Sequence, residues 1–288
     1  MGKTERKSAE GCGFYRQRVW RCGVKRMSDR LEILNEFYGQ SDEDGRLGRT
    51  RHGQLEHRMT VKYIHRYASA GTKVLEIGAG TGRYSVALAK EGMEVTAVEL
   101  VESNLEKLRE NAKGVANLQA FRGDATDLSR FADGSFDVTL SFGPMYHLYE
   151  KNDVERAIDE AIRVTRPGGV LLFAFLSVFG IMYANYFSGN WIFGQKENFT
   201  ADGRTKHFKE QLFTGYEVPE FERMFENKPV EKITTAGVDS MLEVLEGRGD
   251  FAMSDEDFEA FAEWYAAFAE KRELLGGTNH LLYICRKK

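Results

Sequence analysis

Val74-Leu75-Glu76-Ile77-Gly78-Ala79-Gly80-Thr81-Gly82 runs from an apolar strand into a glycine-rich loop, and the residues to Lys90 continue it as a helix. Glycines in such a loop let the backbone turn tightly, with no Cβ between it and a ligand. Two readings compete. A dinucleotide fold uses G-x-G-x-x-G to set a pyrophosphate on the helix N-terminus. Here the third glycine would fall at position 83, which is Arg83. The actual spacing is G-x-G-x-G, with Glu76 two residues before Gly78. That form suits an uncharged nucleoside carrying an amino-acid tail.

The segments that follow supply acids where such a ligand needs them. Glu94–Val98 reads as a second strand, and Glu99 ends it 21 residues after Gly78. A carboxylate there accepts bonds from both ribose hydroxyls, or else complements the dipole of a helix over Val101–Lys113. Leu118–Arg122 reads as a third strand, followed by Gly123-Asp124-Ala125. Asp124 is placed to accept from an adenine amino group while the NH of Ala125 meets the ring; the alternative is a cap for a short helix near 127–131.

Alternation continues with a strand at Phe136–Phe142 and an amphipathic helix at Val154–Thr165, which Pro167-Gly168-Gly169 breaks. An apolar strand, Val170–Leu176, comes next. Strands alternating with helices predict an α/β fold whose parallel sheet is covered on both faces. Further on, a helix near Pro219–Phe225, a strand at Val230–Thr235, a helix capped by Ser254 with Asp257 and a last strand at His280–Cys285 are expected. Ser28-Asp29 before Leu31, Ile33, Leu34 and Phe37 marks a helix start. Residues 1–26 read as a flexible basic extension, and 27–288 as one domain. Its core is 53–176, its aromatic lid 177–215, and its C-terminal strands with a helical insertion 216–288.

VLEIGAGTGRYS (74–85), VTAVE (95–99), FRGDATDL (121–128), FDVTLSF (136–142) and RVTRPGGVLLF (163–173), in this order, resemble the class I S-adenosylmethionine-dependent methyltransferases, most of all the small-molecule branch. The resemblance implies a Rossmann-like three-layer sandwich around a seven-stranded, mostly parallel sheet with its last strand antiparallel. It implies S-adenosylmethionine as methyl donor, held by Glu76, Gly78, Gly80, Gly82, Glu99, Asp124 and Ala125, with Ser141 and Phe142 lining the methionine end. Direct transfer of the methyl group is expected. A binding protein that senses the donor without turnover, and a methyltransferase on RNA or protein, are the other readings.

Ligands of open α/β sheets sit beyond the carboxyl ends of the strands. That makes Tyr146 and His147 the best-placed polar groups for an acceptor. His147 is either a general base or a group that hydrogen-bonds backbone; alignment alone suffices when the nucleophile is already ionised. Tyr183, Tyr186 and Trp191 either line the acceptor pocket or form the lid's own small core. Arg51, His52 and Glu56 are expected to close the site from the other side.

The composition, 42% hydrophobic and 29% charged over 288 residues, excludes a disordered, collagen-like or coiled-coil chain. The net charge of −4 is uneven: eight Lys/Arg against Glu5 and Glu10 make 1–26 basic and leave −10 on the rest. An acidic body argues against a nucleic-acid partner, as does the lack of an N-P-P-Y motif. Cys12, Cys22 and Cys285 are too few for a disulfide framework or a four-ligand zinc site, so no metal is expected. The longest apolar run, Val170–Tyr183, has 14 residues, short of the roughly 18 of a membrane helix, and reads as a buried strand with its exit loop. A cytoplasmic setting is expected; the oligomeric state is left open.

Overall fold

A computed structural model describes residues 30–41, 43–187, 199–208, 212–248 and 250–288. Three helices come first: α1 (Arg30–Tyr38), α2 (Arg46–Arg49) and α3 (Arg51–His65). Strands and helices then alternate as β1 (Lys73–Ile77), α4 (Arg83–Lys90), β2 (Glu94–Glu99), α5 (Glu102–Asn111), β3 (Leu118–Arg122), β4 (Phe136–Ser141), α6 (Pro144–His147), α7 (Lys151–Val164) and β5 (Thr165–Ser177). After α8 (Val178–Phe187) come β6 (Gly215–Tyr216), α9 (Val218–Arg223), β7 (Val230–Gly237), α10 (Leu242–Glu246), α11 (Asp255–Phe268), α12 (Arg272–Leu275) and β8 (His280–Lys287).

The strand order is β3-β2-β1-β4-β5-β8-β7. β1 pairs in parallel with β2 and β4, and β8 is antiparallel to both β5 and β7. The chain therefore moves one way along the sheet after β1 and the other way after β4. A crevice opens at that reversal, at the carboxyl ends of the two strands.

Successive strand residues point to opposite faces, and the sequence supplies an apolar side chain for each. Val74, Val138 and Leu172 share one core with Leu55, Met59 and Tyr63 of α3. Leu75, Phe173 and Phe175 share the other with Val154, Ile158 and Ile162 of α7. Each such side chain stabilises the fold by about 1.5–3 kcal/mol when taken out of water. Cys285 is a buried member of the second core.

Several expectations need correction. The two-residue β6 pairs in parallel with β5, making an eighth strand. α7 ends at Val164, and the strand begins at Thr165, so Pro167-Gly168-Gly169 lies inside β5. A register shift between Phe136 and Val138 accommodates it. The apolar run after Leu176 exits as α8 and not as a loop. Among the described residues no helix is long and apolar enough to cross a membrane. The basic extension 1–26, with Cys12 and Cys22, and the helix start Ser28-Asp29 lie outside the described residues.

Candidate functional site

The glycine loop is packed too tightly for any other residue at two of its positions. Gly78 has φ +77°, and a Cβ there would lie 2.4 Å from the carbonyl oxygen of Phe142. Gly82 has φ +86°, and its Cβ would meet Leu108 Cγ at 2.7 Å. The loop is thereby pressed between the exit of β4 and helix α5. At Gly80 the nearest atom to a Cβ would be Glu43 Cγ, 3.9 Å away. That side is the open cradle a ligand needs.

Glu99 is 5% exposed. Its Oε2 accepts from the NH of Gly80 at 2.7 Å and its Oε1 from the NH of Val101 at 2.9 Å. Burial pushes its carboxyl up, and those NH groups oppose the rise. Glu76 accepts from the hydroxyl of Ser85, yet burial outweighs that bond and pushes its carboxyl up to about 8. Asp124 does not cap a helix: residues 127–131 form none, and Asp127 instead makes an isolated β-bridge with Asp124. Its Oδ1 accepts from the NH and hydroxyl of Thr126, both at 2.9 Å, as in an Asx turn. Its Oδ2 pairs with Arg30 of α1 at 2.5 Å.

One cleft runs from these groups toward the ends of β5 and β8. Glu76, Gly78, Gly80, Glu99, Asp124, Ala125, Phe142, Tyr146 and His147 all line it. Gly82 and Ser141 are not in its wall; Gly82 backs onto Leu108, and Ser141 is buried opposite Ile77 of β1. Tyr183 does not line it and is 41% exposed. The side chain of Tyr186 and the whole of Trp191 lie outside the described residues. Phe213, from the same aromatic stretch, does line the cleft and packs 5.1 Å from the His147 ring.

His147 has both ring nitrogens engaged. Nδ1 lies 2.7 Å from the carbonyl oxygen of Leu212, and Nε2 lies 2.9 Å from the hydroxyl of Tyr38. A carbonyl only accepts, so Nδ1 donates and Nε2 accepts from Tyr38. Burial pulls the imidazole down to about 4, leaving it neutral.

The end of the cleft toward β5 and β8 holds Arg46 and His280, which the sequence reading missed, beside Glu56, which it named. Arg46 reaches Glu56 through two nitrogens, at 2.7 and 2.9 Å. Burial raises the Glu56 carboxyl, but Arg46 and His280 outweigh it and hold it at about 2. Of Arg51, His52 and Glu56, only Glu56 lines the cleft. His52 instead pairs with Glu246 at 2.6 Å, and Arg51 donates to the Met253 carbonyl at 3.3 Å and pairs with Asp255. His280 also lines the cleft, with Asp239 behind it. Asp239, Glu243 and His280 bring three ligand-type atoms within 4.8 Å of one another, a grouping that the sequence did not announce. No local pattern signals these residues, because they converge from segments far apart in the chain.

The methyltransferase-domain family matches residues 75–173. A demethylmenaquinone methyltransferase of Clavibacter sepedonicus is 42% identical over 101 residues, 35% of this chain and 39% of that protein. The enzyme of the same name from Staphylococcus aureus strain JH9 is 38% identical over 126 residues, 41% of this chain and 50% of its own length. The chain thus spans half or less of the length of these curated relatives. The match over residues 75–173 supports the class I S-adenosylmethionine-dependent methyltransferase superfamily. The fold agrees at full length. The Burkholderia thailandensis 1,6-didemethyltoxoflavin-N1-methyltransferase, solved with 1,6-didemethyltoxoflavin and S-adenosylhomocysteine, superposes with TM-score 0.55 at 15% identity, covering 92% of this chain and 93% of its own. S-adenosylmethionine is the methyl donor of this class. The open face of the glycine loop and the carboxylate of Glu99 beside it fit that molecule.

Proposed function

We propose that the chain transfers a methyl group from S-adenosylmethionine to a small-molecule acceptor held at the far end of the same cleft. The observation that carries this reading is the continuity of one cleft from the Gly78–Gly80 loop, Glu99 and Asp124 to the polar chamber around Tyr146, Glu56 and His280. In this reading Glu99 takes the ribose hydroxyls, Asp124 and the NH of Ala125 take the adenine, and Glu76 with the loop takes the amino-acid tail. Phe142 lines the methionine end. The donor supplies an electrophilic methyl group on a sulfonium. The chain's own contribution is alignment within a closed cleft, which alone supplies several kcal/mol of barrier lowering. Tyr146 faces the acceptor, and neutral His147 fixes Tyr38 and the Leu212 backbone at the rim. The aromatic stretch after β5 contributes to the wall over the acceptor through Phe213. The relatives named for demethylmenaquinone support a small-molecule acceptor.

Calorimetry with S-adenosylmethionine and S-adenosylhomocysteine, followed by assay of S-adenosylhomocysteine release across a metabolite panel, tests the reading. Both ligands are expected to bind, and one acceptor class to give release. Absence of binding at millimolar ligand overturns the whole reading. Tight binding with no release from any acceptor favours a sensor.

A further inference from the structure

His280 opens β8 opposite Leu176 of β5, so it stands at the carboxyl end of the parallel strands. It is 4% exposed and lines the cleft. Its Nδ1 lies 2.7 Å from Oδ2 of Asp239, two residues past the end of β7. Glu56 Oε2 lies 3.8 Å from the same nitrogen. Asp239 has 0% exposure, and its other oxygen accepts from the Thr278 hydroxyl at 2.5 Å and from the NH groups of Asn279 and His280, both at 3.1 Å. The carboxylate is therefore locked, with one oxygen left for the imidazole. A carboxylate only accepts, so Nδ1 carries a proton. Nε2 makes no hydrogen bond among the described residues. Ser240, next to Asp239, has φ 58°, the one non-glycine left-handed backbone among the described residues. Such a conformation persists only where its surroundings enforce it.

We propose that His280, oriented by Asp239, presents an Nε2–H donor to an ionised oxygen of the methyl acceptor, so that the site takes an acidic hydroxyl compound, a phenol or enol, as its oxyanion. This rests on the methyltransferase reading of the same cleft and names its acceptor class. The charged and titratable groups around His280 are Asp239, Glu56, Arg46, Glu243, whose carboxylate also accepts from Asn279 at 2.6 Å, and Tyr146, whose ring centre lies 6.0 Å away. Burial works against a charged imidazole, but Glu56 and Asp239 outweigh it and hold His280 protonated up to about 9. Arg46 acts the other way, yet its guanidinium is engaged by Glu56 and by Glu43 at 3.0 Å. At neutral pH the free edge is thus an N–H on a cation, and such a donor bonds an oxyanion more strongly than a neutral oxygen. The acceptor's own proton leaves to solvent on binding, so no side chain has to take it up later.

A metal does not account for the cluster equally well. Two tetrahedral ligands of one zinc ion stand about 3.3 Å apart, whereas Nδ1 and Asp239 Oδ2 are at hydrogen-bond distance, 2.7 Å.

The test uses 4-nitrophenol, whose ionised form alone absorbs in the visible, added to protein saturated with S-adenosylhomocysteine and buffered below the probe's own ionisation midpoint. The wild type is expected to bind it as the phenolate. His280→Gln is expected to weaken that binding on the order of tenfold to a hundredfold, the range for a hydrogen bond to a charged group, with S-adenosylhomocysteine affinity unchanged. Glu56→Gln is expected to reduce the bound ionised fraction, because it removes one carboxylate that keeps His280 charged. Nitrogen-15 NMR of the wild type gives a readout that needs no variant to fold: both His280 nitrogens are expected to be protonated at neutral pH. A neutral His280, a bound probe that stays un-ionised, equal phenolate binding by His280→Gln, or loss of binding on chelation with recovery on adding zinc each overturns the proposal. A protein that ionises the probe but does not bind S-adenosylhomocysteine overturns the methyltransferase reading and leaves the oxyanion site standing.

Discussion

Glu76 and Glu99 stand side by side at the mouth of the crevice, and burial treats them alike while their partners do not. Glu99 is met by the NH groups of Gly80 and Val101, whereas Glu76 is met by Ser85 alone and stays protonated up to about 8. A carboxyl whose folded value is raised holds its proton in the folded chain after the unfolded chain has lost it. Its stabilisation is therefore complete below pH 4.5, its ordinary value, and is lost as pH rises through about 8. Without ligand, wild-type stability is expected to fall across that window, at no more than about 1.4 kcal/mol per pH unit from this group. Glu76→Gln is expected to show a flatter profile and to be the more stable of the two at the alkaline end. Denaturant titration of both proteins across the window checks this, and parallel profiles would contradict it. Glu99→Ala is expected to weaken S-adenosylhomocysteine binding by roughly 1.5–3 kcal/mol, the range for hydrogen bonds to a charged group; an unchanged affinity in calorimetry would show that this carboxylate does not face the ribose. These acids were legible in the sequence because each sits at a fixed offset from the end of a strand. Asp239 and His280 were not legible, since they are 41 residues apart and meet only because β7 and β8 are neighbours.

Among the elements, α1 differs from the rest in how it is held. Leu34 is its single buried residue, packed in a small cluster with Val101 and Leu212, apart from the two main cores. Its other anchors cross the cleft: Arg30 to Asp124 and Tyr38 to His147. An element with few buried apolar contacts opens at low free energy. Amides of α1 are therefore expected to exchange with deuterium far faster than those of β1, and to slow when S-adenosylhomocysteine fills the cleft beneath. Exchange of α1 as slow as that of β1 in the free protein would contradict this. The parallel strands could be read from sequence because their apolar runs and glycine stops are local. The start of β5 could not. Proline and two glycines signal a break, yet they are held in the strand by the register shift opposite Phe136–Val138. The position of α1 over the cleft was equally hidden, because its anchoring partners lie 94 and 109 residues away.

At the scale of the whole molecule, the cleft joins parts of the chain that lie far apart in sequence: the glycine loop, α1, the segment after β7 and the start of β8. A ligand lying along it binds the folded state and has nothing to bind in the unfolded chain, where these segments are dispersed. At a hundred times its dissociation constant, such a ligand adds about 2.7 kcal/mol to folding stability. For a domain of this size each kcal/mol raises Tm by roughly 2–4 °C, so saturating S-adenosylhomocysteine is expected to raise Tm by about 5 °C or more. The same concentration given to Glu99→Ala is expected to raise it less, because the variant is further from saturation. NADH is expected to leave Tm unchanged, since Arg83 stands where the pyrophosphate loop needs its third glycine. Thermal melts of both proteins with each ligand decide the matter. A shift with NADH would reassign the loop to a dinucleotide. A shift of equal size in wild type and Glu99→Ala would mean that the ligand stabilises the chain from somewhere other than the crevice between β1 and β4.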